Sequence, residues 1–186
     1  MPNTMLKLMP TTITMLRLKS IQSDSLPIPD FESWYVCATD PALSVMIDFR
    51  SRASVTVSET AHLNEALGHM KHTGVRCAFV VDEKKDAVVG MLTAYDILGE
   101  KPQQHMRFTG ISHDNVLVKD IMQKISDWRV TDIKDIERST VGDVLEVFNE
   151  TGVTHLPVME TTESNEQRLR GLLSFAKVKR LLVDLA

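Results

Sequence analysis

The sequence predicts an α/β protein of two β-α-β-β-α repeats packed on each other as a pseudo-two-fold module. Three observations predict it. The stretch Val88-Val89-Gly90-Met91-Leu92-Thr93-Ala94-Tyr95-Asp96-Ile97-Leu98 reads as strand, sharp stop, short amphipathic helix. The same design returns at Leu169 to Val178, where Gly171 answers Gly90, Ser174 answers Thr93 and Lys177 answers Asp96. A shift of 78 residues then lays Gly152 on Gly74, Val153 on Val75, and Leu156-Pro157-Val158 on Ala78-Phe79-Val80. Internal repetition of this kind settles the fold class before any single element does. Neither unit could cover its small sheet alone, so the two are expected to pack together.

Taken in order, residues 1–43 read as an N-terminal tail and linker. The first 23 residues hold Lys7, Arg17 and Lys19 and no acid, but Thr and Lys interrupt every apolar run, so no signal-peptide core forms. Pro27, Pro29 and Pro41 mark extended linker, because proline fixes φ and removes a donor. Trp34 and Tyr35 are expected to pack on the domain as a strap.

The first repeat is placed at 44–112. Val55-Thr56-Val57 reads as a short strand, and Ser58 and Thr60 offer N-caps for a helix with Leu63, Ala66, Leu67 and Met70 at helical spacing. Gly74 is a natural residue just past that helix. Cys77 to Val81 reads as a buried strand and Asp82 to Asp86 as a hairpin turn. The second repeat is placed at 113–186. Val118 to Met122 reads as its lead-in helix. Its first strand is either Trp128 to Thr131 or within Asp132 to Ile136, which periodicity does not separate. Thr140 precedes a helix with Val141, Val144, Leu145 and Phe148. The connection from Glu160 to Arg168 is longer than its counterpart, so Gly171 falls 81 residues after Gly90.

Composition narrows the function. The 186 residues are 43% hydrophobic and 25% charged, ordinary for a globular protein. A net charge of −4 gives no reason to expect a nucleic-acid partner. No apolar run reaches the roughly 20 residues that span a bilayer. Cys37 and Cys77 are the only cysteines, too few for a disulfide scaffold or a four-thiolate zinc site, and a cytoplasmic setting is the simplest expectation.

The paired Gly-Val before a strand, the Leu156-Pro157-Val158 strand and the Gly-φ-φ-Thr/Ser-x-x-Asp pattern at Gly90 to Asp96 resemble a tandem pair of cystathionine β-synthase (CBS) domains, a Bateman module. The resemblance covers about residues 44–184. It implies a stand-alone regulatory module rather than an enzyme. The implied ligand is an adenosine compound (AMP, ADP, ATP or S-adenosylmethionine) in a cleft, with no cofactor required. It also implies a homodimer and an effector protein of unknown identity.

The resemblance assigns Thr93 to phosphate and Asp96 to the ribose hydroxyls, with Thr56, Val57, Cys77 and Ala78 around adenine in the cleft of the first repeat. A helix N-terminus offers N–H groups to an anion, and a carboxylate is acceptor-only, which suits a cis-diol. The plainer role for Thr93 and Asp96 is to cap the helix, and both roles can hold at once. Core packing is the plainer role for the four strand residues. In the second repeat Lys177 replaces the carboxylate, and an ammonium cannot accept from a diol. His155, Leu156, Ser174 and Lys177 would line that degenerate second cleft.

His62, His69 and His72 read as one exposed helix face rather than metal ligands. Two rival functions stand beside the ligand sensor: an interaction module with empty clefts, and an enzyme using the His-rich helix. The second lacks an acid-base-nucleophile set. Apolar residues at Val118, Ile121, Met122, Val178, Leu181 and Leu182 exceed what one small module is expected to cover, and they motivate the dimer.

Overall fold

Two four-stranded sheets carry the fold, and each borrows its last strand from the other half of the chain. The computed structural model describes residues 35–183. The readings of the preceding residues, Trp34 included, lie outside that range.

The elements follow in order. The first half contains β1 (Ile47–Asp48), β2 (Thr56–Ser58), α1 (Leu63–Thr73), β3 (Cys77–Asp82), β4 (Ala87–Thr93), α2 (Ala94–Leu98) and α3 (Lys101–Thr109). The second contains α4 (Val118–Ile121), β5 (Gln123–Lys124), β6 (Thr131–Asp132), α5 (Ile133–Ile136), α6 (Val141–Thr151), β7 (His155–Thr161), β8 (Gln167–Ser174) and α7 (Phe175–Leu181). One sheet runs β2-β3-β4-β5 and the other β1-β8-β7-β6. In each, a parallel pair (β2 with β3, β6 with β7) is followed by an antiparallel hairpin. The mixed α/β repeat predicted from sequence is the one observed.

Local chemistry explains the boundaries. Gly74 and Gly152 end α1 and α6 in the left-handed region, at φ 71° and 69°, where a Cβ would be strained. Thr140 closes a capping box with Asp143 ahead of α6. The expected caps of α1 differ: His62 holds the N-cap position without a side-chain bond, and the Ser58 and Thr60 hydroxyls bond each other at 3.0 Å. The first strand of the second repeat falls where the two sequence readings meet. Asp132 ends it by accepting a 2.9 Å bond from the Lys134 N–H, which starts α5.

The exchange of strands overturns one expectation. Val118 and Ile121 of α4 are 0% and 4% exposed, packed into the core of the first repeat with Leu63, Met70 and Leu92. Val178 and Leu181 of α7 are likewise buried, against Val36, Val45 and Phe148. Each such burial contributes on the order of 1.5–3 kcal/mol. The apolar surface that motivated a dimer is therefore covered within one chain. The strap also differs from expectation. Tyr35 is exposed, and Val36 is the residue that docks, bonding through its backbone to Leu181 and Val183.

Gly90 and Gly171 make the exchange sterically feasible. A Cβ on Gly90 would lie 2.7 Å from the Gln123 carbonyl oxygen, and one on Gly171 would lie 2.7 Å from that of Ile47. Met122 and Met46 lie over the same two glycines. Between the sheets sits a third cluster of Phe79, Met91 and Leu172, with Phe49 edge-on to Phe79 at 5.5 Å and Trp128 tilted against it at 5.8 Å.

Candidate functional site

A cleft opens where the two repeats meet. It holds a cavity of about 260 Å³ lined by Met91, Gln123, Trp128 and Arg129 on one side, and by Gly152, Val153, Thr154, His155 and Pro157 on the other. That volume is near the lower end of small-molecule sites, which span roughly 300–1,000 Å³. The Trp128 indole N–H donates to the Gln123 carbonyl at 3.3 Å, fixing the ring at the mouth. The Thr154 hydroxyl lies 3.1 Å from His155 Nδ1. Burial pushes the His155 pKa below the ordinary imidazole value, and the nearby Asp96 charge works against that shift. Asp96 and His155, read from sequence as parts of two clefts, thus lie near enough for the charge of one to act on the other.

The Thr93–Asp96 turn is closed upon itself. Thr93 N–H donates to Asp96 Oδ2 at 2.8 Å, and the Thr93 hydroxyl donates to the same oxygen at 2.7 Å. Asp96 N–H donates back to Thr93 Oγ1 at 3.1 Å. The capping role is therefore present in full. The Thr93 proton is committed to a carboxylate, so it meets a phosphate only by letting Asp96 go. The helix it caps, α2, has five residues. Asp96 Oδ1 in turn receives Lys101 Nζ at 2.6 Å.

Strand alternation divides the remaining predicted residues. Successive side chains on a strand point to opposite faces. Cys77 and Phe79 turn toward the other repeat, while Ala78 and Val80 enter the core with Val57. Ala78 is fully buried there, and Thr56, paired with Phe79, is exposed. In the second repeat His155 and Pro157 line the cavity, while Leu156 and Val158 join the core. Each predicted pair contributes one side chain to a core and one elsewhere. Of the predicted site residues His155 alone lines the cavity; Thr56, Val57, Cys77, Ala78, Thr93 and Asp96 do not. Cys77 pairs with Thr93 across β3 and β4, and the Asp96 charge acts on both Cys77 and His155. Burial, with the Asp96 charge adding, pushes the Cys77 thiol up to about 12, so it stays protonated at neutral pH.

The second strand-to-helix junction is built differently. Ser174 makes no side-chain cap bond to α7. Lys177 is half-buried and donates to the Met46 carbonyl at 3.4 Å. Burial lowers its pKa, and the charges of Arg52 and Arg180 lower it further. Lys177 thus tethers the incoming lead-in segment of the first repeat. A wider groove of about 560 Å³ between β6, α5 and α6 includes Leu156 and no other predicted residue.

Sequence reading missed Met91, Gln123, Trp128, Arg129 and Thr154 as cavity residues. Met91 was legible: it lies two residues before Thr93 on one strand and shares its face. Trp128 and Arg129 were weighed only as a strand. Their place follows from the exchanged β5, a long-range pairing with no local signature.

Two interlocked β-α-β-β-α repeats with a cleft between them define a tandem α/β module. The CBS domain family matches residues 45–102 and 136–184, more than half of the chain, and the chain belongs to that family as a tandem pair. Two solved structures agree in fold. A protein with CBS domains from Burkholderia ambifaria MC40-6 aligns with TM-score 0.51 and 22% identity, over 69% of this chain and 82% of that one. The CBS-domain protein ATU1752 from Agrobacterium tumefaciens gives TM-score 0.50 and 22% identity, over 69% and 89%. CBSX2 in complex with AMP gives TM-score 0.48 and 20% identity, over 76% and 94%. No curated protein matches the sequence. Among the described residues no helix is long and apolar enough to cross a membrane.

Proposed function

We propose that this chain is a regulatory module, not an enzyme, that binds an adenosine-containing ligand (AMP, ADP, ATP or S-adenosylmethionine) through its first-repeat Thr93–Asp96 turn. One observation supports the reading: the two repeats share a cavity lined by Met91, Gln123, Trp128, Arg129, Thr154 and His155, and the Asp96 charge reaches His155 from outside that lining. The cleft offers what a nucleoside requires. Met91, Trp128, Val153 and Pro157 give apolar contact for a base, Gln123 and Thr154 give polar groups, and Arg129 gives a cation for an anionic tail. Asp96 supplies the acceptor for ribose hydroxyls. The repeats, taken as 44–112 and 113–186, each complete their sheet with the other's lead-in, so a ligand between them couples both halves.

The partners in this reading are the small molecule, a second copy of the chain and an effector protein, in the cytoplasm. Tyr95 and Leu98 on α2 and Phe108 on α3 stay exposed as apolar contact residues for self-association. A homodimer at micromolar concentration in light scattering is the expected result, and monomer alone removes that part.

A second reading, an interaction module with empty clefts, has its own support: the Asp96 carboxylate is already satisfied by Thr93 and Lys101. Thermal unfolding against a panel of the four ligands separates the two. A ligand at a hundred times its Kd adds about 2.7 kcal/mol to native stability. A raised Tm with at least one compound is expected, and no shift with any of them at millimolar concentration leaves the interaction module.

A further inference from the structure

Lys101 sits on the carboxylate that the proposed ligand needs. It is the first residue of α3, and its ammonium lies 2.6 Å from Asp96 Oδ1 and 3.5 Å from the Ile121 carbonyl. A carboxylate offers about four lone-pair sites. The Thr93 N–H and hydroxyl take two on Oδ2, and Lys101 takes one on Oδ1. A ribose diol brings two O–H donors, and only one site is left.

We propose that Lys101 is a built-in competitor for the ligand's diol, an autoinhibitory contact that must leave Asp96 before a ribose can be held by both hydroxyls. The inference rests on the adenosine reading above. The geometry makes the exchange inexpensive for Lys101 and not for Asp96. The Lys101 side chain is 47% exposed, so its ammonium can swing into water, whereas that of Asp96 is 17% exposed and is fixed by the capping box. The pair lies close to solvent, where such contacts are modest. Releasing it shifts affinity by about two- to fivefold. Lys101 thereby sets the threshold concentration at which the module responds. It also selects for ligands with an intact diol, since only these use both Oδ1 sites when it departs.

Adenosine is the probe, because it has the diol and no phosphate for Lys101 to hold once released. In isothermal titration, Lys101→Met and Lys101→Gln should each bind adenosine about two- to fivefold more tightly than the parent. 2′,3′-Dideoxyadenosine should bind all three proteins alike. Raising ionic strength until the Debye length is about 3 Å should tighten adenosine binding to the parent and leave both variants unchanged, because salt screens only the competing pair. A purely structural role for Lys101 would not produce that salt response. Circular dichroism confirms that the variants are folded. Adenosine affinity that is unchanged or weaker in both folded variants, with AMP still bound by the parent, overturns the competitor and leaves the adenosine reading standing. Neither adenosine nor AMP bound by the parent or either variant overturns both.

Discussion

The two strand-to-helix junctions share one backbone plan and different side-chain chemistry. At the first, Thr93 and Asp96 satisfy each other, and the carboxylate also holds Lys101. At the second, Ser174 makes no side-chain cap bond, and Lys177 turns to the Met46 carbonyl. The glycine that precedes each is constrained in the same way, by a strand arriving from the other repeat. The comparison separates what the fold demands from what a site demands. Gly90 and Gly171 answer to the fold and are identical. The positions six residues further on, Asp96 and Lys177, have diverged to opposite charge.

Fold requirements should therefore break equally in both halves. Gly90→Ala and Gly171→Ala each force a Cβ to within 2.7 Å of a backbone carbonyl, which must move with its whole strand. Overpacking of this kind costs about 1–3 kcal/mol. Urea unfolding should show two losses of similar size. A large loss at one glycine and none at the other would mean that only one lead-in segment is held by its sheet.

Site requirements should break unequally. Asp96→Ala removes an acceptor that charge-assisted bonds make worth about 1.5–3 kcal/mol, so affinity for the adenosine ligand should fall roughly tenfold to a hundredfold. Lys177→Ala should change it little, since that side chain holds backbone. Titration calorimetry on the two variants decides. Parent-like binding by Asp96→Ala together with loss in Lys177→Ala would place the ligand in the other cleft.

The repeat, the hairpins and the glycine stops were legible because they are local patterns or patterns repeated at a fixed offset. Both Gly74 and Gly152 stand where a helix must end, and their positions match in the two copies. The exchange of β1 and β5 was not legible. Ile47–Asp48 and Gln123–Lys124 are two-residue strands whose partners lie in the opposite repeat, and nothing local encodes such pairing. That omission lies behind one misreading: apolar residues of α4 and α7 were taken for surplus surface, whereas Val118, Ile121, Val178 and Leu181 pack inside the chain. Val57, Ala78 and Leu156 went to the core because strands alternate, which the sequence did show once the cleft face was known.

The caps give a smaller test of the same asymmetry. Thr93→Ala removes both a cap acceptor and a donor to Asp96, at about 1 kcal/mol. Ser174→Ala removes no cap bond and should stay within about 0.5 kcal/mol of the parent. Thermal or chemical unfolding resolves the difference, and equal losses would show that the Ser174 hydroxyl caps its helix in solution after all.

The smallest expected effect compares His155 with Cys77, which occupy matching positions at the start of β7 and β3. His155 has its pKa lowered by burial, with Asp96 opposing. The unfolded chain therefore binds a proton there more readily than the folded one, and stability rises with pH. The contribution is complete above the ordinary value of 6.5, declines as pH falls below it, and levels off once the folded imidazole is also protonated. Cys77 is raised to about 12 from an ordinary 9.0, so it is protonated in both states throughout this window and adds no slope. Asp143, held low by the Thr140 N–H and hydroxyl, contributes stability that is present above 3.8 and lost only below it. Stability measured by urea unfolding between pH 7.5 and the onset of carboxylate titration should thus fall toward acid in the parent and in Cys77→Ser. It should fall less steeply in His155→Gln. If His155→Gln keeps the full parental slope, the imidazole is hydrated in solution and the cleft is more open than its cavity suggests.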